Sequence, residues 1–502
     1  MVGIRPEHRP ERALADVAAF LQLDPPADGG STITGLSLNT QRVEPGDLFL
    51  ALPGTRAHGI DFAADAVRHG AVAVLTDPEG ASRFDADVAV LTVDQPRERM
   101  AGLSAWFYDH PSRAFPAIGI TGTQGKTTTT YLAESALGRR KAGVVGTIGT
   151  RIDREPVGSA LTTPEAPELQ ALFAVMREQQ VEACVMEVSS HALVKGRVDG
   201  FQFDTCVFLN LGRDHLDFHL TMEDYFLAKA ALFTPERTQS AVVNVDDDHG
   251  RALIDLIGTR LPVTTFSTTG RPADWQAVNV RPNRSGTELD VIVPGGASLP
   301  LVVPLPGVFN VSNAIAALAA LTSCGFDSAE LAAGIAQSSA VPGRMERVER
   351  GQEYVAVVDY AHKPDAVTAV LTALRPVTAG RLIVVIGAGG DRDHGKRPLM
   401  GAAAASIADL VIVTDDNPRT ENPAVIRADV LGGASPGPGV AIEIADRREA
   451  ITHAVSLAHR GDTIVIAGKG HERGQEVNGV IHPFDDRDVL ATAIDERLGA
   501  AS

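Results

Sequence analysis

Short runs of apolar residues alternate along the chain with longer stretches rich in Ala and Leu. Glycine, proline or charged residues bound the short runs, which predicts buried strands, whereas the longer stretches have the composition of helices. No short-period repeat and no long low-complexity segment interrupts this pattern. Strands that alternate with helices are typical of an α/β fold, so the sequence predicts layered domains built on mostly parallel sheets.

Two breaks in the alternation divide the chain. A predicted helix gives way to a strand near His110-Pro111-Ser112, and the same change recurs near residues 340–344. A chain of 502 residues is too long for one core, and its length suggests about three domains. We therefore expect a smaller N-terminal α/β domain over residues 1–111, a central domain over 112–341 and a C-terminal domain over 342–502.

The composition narrows the classes of partner. The formal net charge of −18 argues against nucleic acid or an anionic membrane as partner. No apolar run approaches the roughly 20 residues that a membrane span needs, and the charged N-terminus lacks the apolar stretch of a secretory signal. We expect a cytoplasmic monomer whose three cysteines, Cys184, Cys206 and Cys324, are buried thiols rather than disulfide partners or metal ligands.

A glycine-rich loop follows the predicted strand 117–120. The segment Thr121–Thr129 (TGTQGKTTT) leads into a helix, and this arrangement aims backbone N–H groups and the helix dipole at phosphate. Ile120 stands where the full Walker pattern has its first glycine, and a glycine turn that merely caps a helix is the alternative. We expect Lys126 to bridge the outer phosphates and the Thr127 hydroxyl to bind Mg²⁺. The expected ATP contacts in the loop are Gly122, Thr123, Gln124, Gly125, Lys126, Thr127 and Thr128.

Four strand-like runs near the C-terminus each lead directly into a polar turn. Their sequences are VAVVDYAHKP (355–364), RLIVVIGAGGDRD (381–393), ADLVIVTDDNPR (408–419) and DTIVIAGKGHE (462–472). In doubly wound sheets, ligands bind beyond the carboxyl ends of the strands. The four turns therefore predict one shared cleft.

The shortened loop Thr-Gly-Thr-x-Gly-Lys-Thr resembles that of the Mur ligases and of their relatives, the folylpolyglutamate synthetases. Further motifs occur in the order that family shows, and the match covers nearly the whole chain: LTTPE (161–165), EVSSHAL (187–193), NLGRDHLDFH (210–219), the pair Tyr225 and Lys229, GVFNVSN (307–313), PGRME (342–346), DYAHKP (359–364), GGDRD (389–393), DDNPR (415–419) and GKGHE (468–472).

This resemblance implies a fold and a reaction. The fold has an N-terminal domain for a UDP-linked substrate, a central P-loop-type ATPase domain and a C-terminal Rossmann-like domain for the incoming amino acid. The reaction is ATP-dependent amide formation through an acyl phosphate, in cell-wall peptide assembly. Within the family, the chain is most similar to the branch that adds meso-2,6-diaminopimelate to UDP-N-acetylmuramoyl-L-alanyl-D-glutamate. DNPR, at Asp416–Arg419, resembles the signature of that branch.

The resemblance also assigns metal and catalytic residues. Glu187 follows a predicted buried strand and suits Mg²⁺, which prefers carboxylates with phosphate oxygens; a helix-capping turn is the alternative. His215 is a metal-site residue by resemblance alone, since GRDHLDFH could equally be a solvated loop, and Asp217 and His219 stay without a role. The family carbamylates the lysine at the position of Lys229, which requires a neutral amine and hence a lowered pKa. An exposed lysine on an amphipathic helix is the alternative.

Binding residues follow in the same way. Thr162, Thr163, Ser189 and Arg197 match the family's contacts to the muramoyl-peptide substrate. Nucleotide contacts are expected from Asn310, which matches the adenine contact, and from Arg344, Asp359 and His362 in the C-terminal domain. Since ATP would then touch two domains, we expect the C-terminal domain to close for catalysis.

The motifs GGDRD, DNPR and GKGHE indicate the amino acid. Arg392 is a candidate for its α-carboxylate, and Arg419 can grip the far carboxylate of diaminopimelate bidentately. With lysine, which lacks that carboxylate, we expect Arg419 to be left unpaired at a cost of several kcal/mol. Glu472 is expected to take the far ammonium. The complete set expected here is Arg392, Asp416, Asn417, Arg419, Gly468 and Glu472, and a simple proline turn is the alternative for DNPR.

One departure lies in the N-terminal domain. The family's Asp-Ser-Arg is replaced here by Asn39-Thr40-Gln41, so uridine recognition falls to Ser37, Asn39 and backbone groups. Two other functions stay open: a different branch of the family, such as the L-lysine-adding ligase or a folylpolyglutamate synthetase, and a nucleotide-gated binding protein without ligase activity. DNPR argues against the first, and the retention of Lys126, Glu187, His215 and Lys229 argues against the second.

Overall fold

The computed structural model describes residues 4–27, 29–54, 57–85, 87–158, 161–283, 286–435 and 437–501. Over these residues, the strands form three main sheets and two short two-stranded ribbons. From the N-terminal to the C-terminal region, the main sheets have four, eleven and six strands. Helices pack on these sheets around buried aliphatic cores. The α/β fold predicted from the alternating pattern is confirmed.

The N-terminal region is built on a small parallel sheet. Its strands and helices are β1 Arg12–Ala13, α1 Leu14–Phe20, β2 Thr32–Ile33, β3 Gly35–Ser37, β4 Asp47–Leu50, α2 Ala63–Arg68, β5 Ala73–Thr76, α3 Pro78–Ser82, β6 Ala89–Thr92 and α4 Pro96–Phe107. The strand order is β3-β4-β5-β6, with every pair parallel. Strands β4 and β5 are buried along their whole length, as expected for a parallel sheet covered on both faces.

The central region holds the largest sheet. Its elements are β7 Ala117–Thr121, α5 Lys126–Ala136, β8 Ala142–Gly146, β9 Gly149–Ile152, β10 Glu155–Val157, α6 Ala166–Glu178, β11 Ala183–Glu187, α7 Ser190–Val194, β12 Phe203–Phe208, α8 Met222–Ala230, β13 Thr238–Asn244, α9 Asp248–Ile257, β14 Val263–Ser267, β15 Trp275–Asn283, β16 Gly286–Ile292, β17 Ser298–Val303, α10 Phe309–Ser323 and α11 Ser328–Ile335. The strand order is β10-β9-β8-β11-β7-β12-β13-β14-β15-β16-β17. The seven neighbouring strands β8, β11, β7, β12, β13, β14 and β15 are parallel. Antiparallel strands extend both edges of the sheet, β9 and β10 at one and β16 and β17 at the other.

The C-terminal region contains the third sheet. Its elements are β18 Glu346–Arg347, β19 Val355–Asp359, α12 Pro364–Leu374, β20 Leu382–Ile386, α13 Lys396–Ala405, β21 Leu410–Val413, α14 Pro423–Ala434, β22 Val440–Glu443, α15 Arg447–Leu457, β23 Thr463–Ala467, β24 Gly474–Val477, β25 Val480–Pro483 and α16 Asp486–Ala501. The order is β18-β19-β23-β20-β21-β22, parallel except for β18. The four strands with polar turns, β19, β23, β20 and β21, are therefore neighbours. Their turns lie at one edge of the sheet, and a cleft shared by all four turns stays a prediction.

The three sheets span residues 35–92, 117–303 and 346–467. The domain limits at 111 and 341 lie between these spans and stay a prediction. Over the described ranges, no helix combines the length and the apolar character needed to cross a bilayer.

Candidate active site

A cavity of about 480 Å³ lies between the loop after β7 and the turn after β19. The central sheet supplies one wall and the C-terminal sheet supplies the other. The predicted residues that line it are Thr123, Gln124, Gly125, Lys126, Thr127, Thr128, Thr162, Glu187, Ser189, His215, Asn310, Arg344, Asp359 and His362. The structure thus brings most of the predicted nucleotide and metal residues of both regions to one space, while Gly122 and Lys229 lie outside its lining.

The loop from Gly122 to Gly125 connects β7 to α5. Gly125 has φ +88°, and a Cβ there would lie 2.3 Å from Oδ1 of Asn313, so only glycine fits. Asn210 Oδ1 accepts hydrogen bonds from the backbone N–H groups of Thr123 at 3.1 Å and Gln124 at 2.9 Å. Asn210 therefore fixes the loop. Its motif was recognised in the sequence, but nothing in the pattern singled out this residue.

Two lysine side chains converge on the carbonyl of Gly122. Lys126 Nζ donates to it at 2.7 Å and Lys229 Nζ at 3.1 Å. Burial, assisted by the nearby Lys363 ammonium, lowers the pKa of Lys126 to about 8. Lys229 is 1% exposed and lies over the Tyr225 ring, and its burial beside Lys126 lowers its pKa well below the usual value. The exposed-lysine alternative for Lys229 is wrong.

Glu187 ends β11, beside the loop. Its carboxylate accepts from the backbone N–H of Thr147 at 2.8 Å and from the Thr147 hydroxyl at 3.0 Å. Thr162 Oγ1 lies 3.1 Å from that hydroxyl. Thr163 donates to the Glu187 carbonyl at 2.8 Å and accepts from the Ser189 N–H at 3.2 Å. The predicted substrate residues Thr162, Thr163 and Ser189 therefore surround the predicted metal carboxylate.

His215 occupies the turn after β12 with φ +53°. Its Nε2 lies 2.9 Å from Asp214 Oδ2, and the same oxygen lies 2.5 Å from Lys363 Nζ. Burial opposes ionisation of Asp214, but the Lys363 ammonium and His215 outweigh it and hold the pKa of this carboxyl below its usual range. His219, unassigned from the sequence, pairs with Ser190 Oγ at 2.9 Å.

The cavity presents oxygen ligands that fit Mg²⁺. Glu187 lines it from the end of β11 and Thr127 from the first turn of α5, and Mg²⁺ favours one or two carboxylates together with phosphate oxygens. Within the described part of the chain, no three His, Cys, Asp or Glu side chains group as a metal site. Bound phosphate would add further oxygen ligands to these two.

The nucleotide residues join the two sheets. Arg344 Nη2 donates to Thr127 Oγ1 at 3.2 Å, and its guanidinium lies 4.4 Å from the centre of the Tyr360 ring. Asp359 accepts from the Met345 N–H at 2.7 Å, and burial raises its pKa. Arg344 therefore brings a cation of the C-terminal region against the first turn of α5, and Asp359 lines the same cavity.

Asn310 and His362 complete the set. Asn310 Nδ2 donates to Pro306 O at 2.7 Å, and its Oδ1 accepts from Asn313 at 3.0 Å. His362 Nδ1 lies 2.7 Å from Tyr360 O. Burial, followed by the charge of Lys363, lowers the pKa of His362 to about 3, so the imidazole is neutral near pH 7.

The predicted amino-acid residues form a second cluster at the same sheet edge. Asn417 Nδ2 donates to Glu472 Oε2 at 2.9 Å, while its Oδ1 accepts from Lys469 Nζ at 2.8 Å. Lys469 is fully buried and also lies 3.3 Å from Asp416 Oδ1. Gly468, with φ +119°, donates its N–H to Asp359 O at 3.1 Å. Sequence reasoning missed Lys469, although a lysine inside GKGHE was visible.

Arg419 already has protein partners. Its Nη1 donates to Gly390 O at 2.5 Å, and its Nε donates to Glu476 Oε2 at 3.3 Å. The expectation that lysine as substrate would leave Arg419 unpaired is therefore wrong. Arg392 is more than half exposed, and its Nη1 lies 3.8 Å from Asp217 Oδ2 of the central region.

The remaining predicted substrate residues have local partners. Ser37 Oγ donates to Asn39 O at 3.0 Å, and Asn39 Oδ1 caps the short turn that follows by accepting from Gln41 N at 2.9 Å. Arg197 Nε donates to Glu165 Oε1 at 2.9 Å, and its Nη1 to Thr163 O at 3.1 Å. Arg197 thereby ties the LTTPE segment to the end of α7.

Known proteins resemble this chain over almost its full length. Models described as Mur ligase family, catalytic domain, as Mur ligase middle domain and as Mur ligase, glutamate ligase domain match residues 32–108, 120–321 and 343–470. The UDP-N-acetylmuramoyl-L-alanyl-D-glutamate--2,6-diaminopimelate ligase of Streptomyces avermitilis is 51% identical, with 99% of each chain covered. The protein of the same name from Corynebacterium glutamicum is 49% identical over 94% of each chain.

A solved structure with that enzyme name is also similar. The two chains are 36% identical, and their structures superpose with a TM-score of 0.66. The match covers 97% of this chain and 99% of the other. Sequence identity of this extent, the three matched family models and the shared fold lead to one conclusion. The chain belongs to the Mur ligase family.

Proposed function

We propose that this chain is an ATP-dependent ligase that joins meso-2,6-diaminopimelate to the γ-carboxylate of UDP-N-acetylmuramoyl-L-alanyl-D-glutamate, a step of peptidoglycan precursor synthesis. One observation carries the proposal: the phosphate loop of the central sheet and the turn after β19 of the C-terminal sheet line one cavity, and the other polar turns follow the neighbouring strands at the same sheet edge. A ligase must bring an activated carboxylate and an amine together, and this arrangement suits that task. The relatives of the same printed name support the choice of substrates.

In the first step, an oxygen of the D-glutamate γ-carboxylate bonds to the γ-phosphorus of ATP. The bond from that phosphorus to the β,γ-bridging oxygen breaks, and its electron pair leaves with ADP. Lys126, at the start of α5, and Arg344, which contacts Thr127, are placed to neutralise phosphate charge. Positioning and electrostatic stabilisation supply most of the catalysis in such phosphoryl transfers.

In the second step, the amine of the incoming amino acid attacks the acyl carbon of the acyl phosphate. The amine loses a proton, the C–O bond to the phosphate breaks, and inorganic phosphate leaves with that electron pair. Asp416, Asn417, Arg419, Gly468 and Glu472 are proposed to hold the amino acid, with Arg392 nearer the central sheet. A closed cavity protects the acyl phosphate from water.

Mg²⁺ is proposed to be held by Thr127, Glu187 and His215, where it neutralises phosphate charge. Lys229 is proposed to carry a carbamate, since its buried amine and lowered pKa suit reaction with CO₂. The new carboxylate would add an oxygen ligand and offset the positive charge of Lys126.

The UDP-linked substrate is proposed to be bound by Thr162, Thr163, Ser189 and Arg197, with Ser37 and Asn39. We propose a single copy of the chain as the working unit, with domain limits at 111 and 341.

The test measures phosphate release from ATP by the purified full-length chain with UDP-N-acetylmuramoyl-L-alanyl-D-glutamate. We expect release that depends on meso-diaminopimelate, with L-lysine poorer by orders of magnitude. Release with L-lysine alone would keep the ligase and overturn the proposed amino acid. Release with neither would support a nucleotide-binding protein without ligase activity.

A further inference from the structure

Lys363 is a cation of the cavity to which no role has been given above. It lies between β19 and α12, at the end of the turn Tyr360–Lys363, and is 8% exposed. It lines the same cavity as Lys126. Burial removes water from its ammonium group, so the lysine needs a compensating partner.

The Lys363 ammonium crosses from the C-terminal region to the phosphate loop. Its Nζ donates to Thr123 O at 3.4 Å, and Lys126 Nζ donates to the same oxygen at 3.4 Å. Two positive charges from different sheets thus share one neutral acceptor. Asp214, whose Oδ2 lies 2.5 Å from Lys363 Nζ, is the anion that holds Lys363 there.

Cations of both regions meet at the start of α5. Lys126 and Lys363 both donate to the Thr123 carbonyl, and Arg344 donates to Thr127 in the first turn of the helix. Asp214 pairs with Lys363, and the Glu187 carboxylate accepts from Thr147. The ammonium groups, beside the glycine loop at a helix N-terminus, therefore favour phosphate at this place.

We propose that Lys363 contacts the outermost phosphate of ATP and stabilises the phosphoryl group during its transfer. The inference rests on the proposed function. As the carboxylate oxygen bonds to the γ-phosphorus and the bond to the bridging oxygen breaks, negative charge spreads over the γ-phosphate oxygens and the bridging oxygen. A fixed ammonium in the cavity stabilises that charge without reorganisation.

The origin of Lys363 gives this contact a further consequence. Lys126 belongs to the central region, whereas Lys363 belongs to the C-terminal region. Both ammonium groups reach Thr123 only while the C-terminal sheet lies against the phosphate loop. Phosphoryl transfer is thereby coupled to closure, so the acyl phosphate forms where the amino-acid cluster can receive it.

The experiment uses Lys363→Met and Lys363→Arg in the full-length chain. Calorimetry compares the Kd of ADP with that of the β,γ-methylene analogue of ATP, and phosphate release gives kcat. We expect Lys363→Met to weaken the analogue about tenfold and ADP less than about twofold, and to lower kcat about 100-fold. Lys363→Arg, which keeps the charge, should recover part of both losses. Lys141→Met, at an exposed lysine that contacts Gln179 O, is the control.

Equal weakening of ADP and the analogue, or a kcat within about threefold of the parent, would overturn the proposal. Asp214→Asn tests whether Lys363 acts only through its ion pair. If this variant lowers kcat as much as Lys363→Met does, and neither variant changes the preference for the analogue over ADP, Lys363 serves as an interdomain contact instead. Thermal melting of each variant checks its folding, and Lys363→Arg keeps the test available if Lys363→Met is unstable. If the parent chain releases no phosphate with either amino acid, the proposed ligase fails, while the two Kd values still decide the role of Lys363.

Discussion

At the scale of single residues, the hydrogen-bond partners of a side chain change the role that its residue type suggested. Arg419 was expected to discriminate against L-lysine, because without the far carboxylate of diaminopimelate its guanidinium would have no partner. In the structure, Gly390 O and the Glu476 carboxylate accept hydrogen bonds from it. Glu476 is 38% exposed in its side chain, so the pair contributes about 0–1 kcal/mol to stability. Its larger effect is on the ligand, since any carboxylate that reaches Arg419 must share it with Glu476.

Replacement of this competing carboxylate should therefore tighten the binding of diaminopimelate. In Glu476→Gln, the amide oxygen can still accept from Arg419 while the charge is gone. We expect the KM for meso-diaminopimelate to fall about threefold to tenfold, with kcat and the weak use of L-lysine nearly unchanged. Glu443→Gln, which removes a carboxylate of similar exposure from Arg427, is the matched control. A rise in the KM for diaminopimelate would show instead that Glu476 positions Arg419.

The same scale shows the limit of sequence reasoning. Spacing placed Tyr225 and Lys229 on one helix face but gave no information on burial, which depends on the loop of Gly122 packing over them. Asn210, Asp214, Lys363 and Lys469 act through contacts between distant segments. These residues lie inside motifs that were recognised, but a short window does not show which distant segment each one contacts, whereas the glycine loop and the strand-end turns are local and were predicted.

At the scale of elements, helix α8 holds Lys229 in place. Thr221 Oγ1 accepts from the Asp224 N–H at 3.0 Å and caps the helix. Thr221→Ala should cost about 1 kcal/mol of stability and loosen the helix that carries Lys229. We therefore expect a lower Tm together with a loss of ligase activity that added bicarbonate partly restores, since carbamate occupancy depends on CO₂.

A second cap serves as the comparison. Asp327 caps α11, whose residues do not line the cavity, by accepting from the N–H groups of Ala329 and Glu330. Asp327→Ala should lower Tm by a similar amount and leave activity at the assay temperature unchanged. Equal loss of activity in both variants would mean that α8 affects the reaction through stability alone.

At the scale of the whole molecule, cations of two regions meet at one cavity. A chain with a formal net charge of −18 brings Lys126, Lys363 and Arg344 to the wall of this cavity. These cations come from both large sheets, so a polyanion bound between them attracts both sheets and favours closure. Nucleotide binding and closure are then linked, and each must strengthen the other.

Hydrogen exchange on the full-length chain tests this linkage. The β,γ-methylene analogue of ATP should slow exchange in the loop 122–125 and, to a similar extent, in the turn 359–364, because Arg344 and the turn close on the bound phosphates. Arg344→Ala removes the contact to Thr127, so the loop should keep its protection while the turn loses most of it. The ribbon 474–483, which contacts Arg419 through Glu476, is the internal reference and should respond to diaminopimelate rather than to the nucleotide. Protection confined to the loop in the parent chain would mean that the two sheets bind their ligands independently, because a ligand can shift only an equilibrium whose states it binds with different affinity.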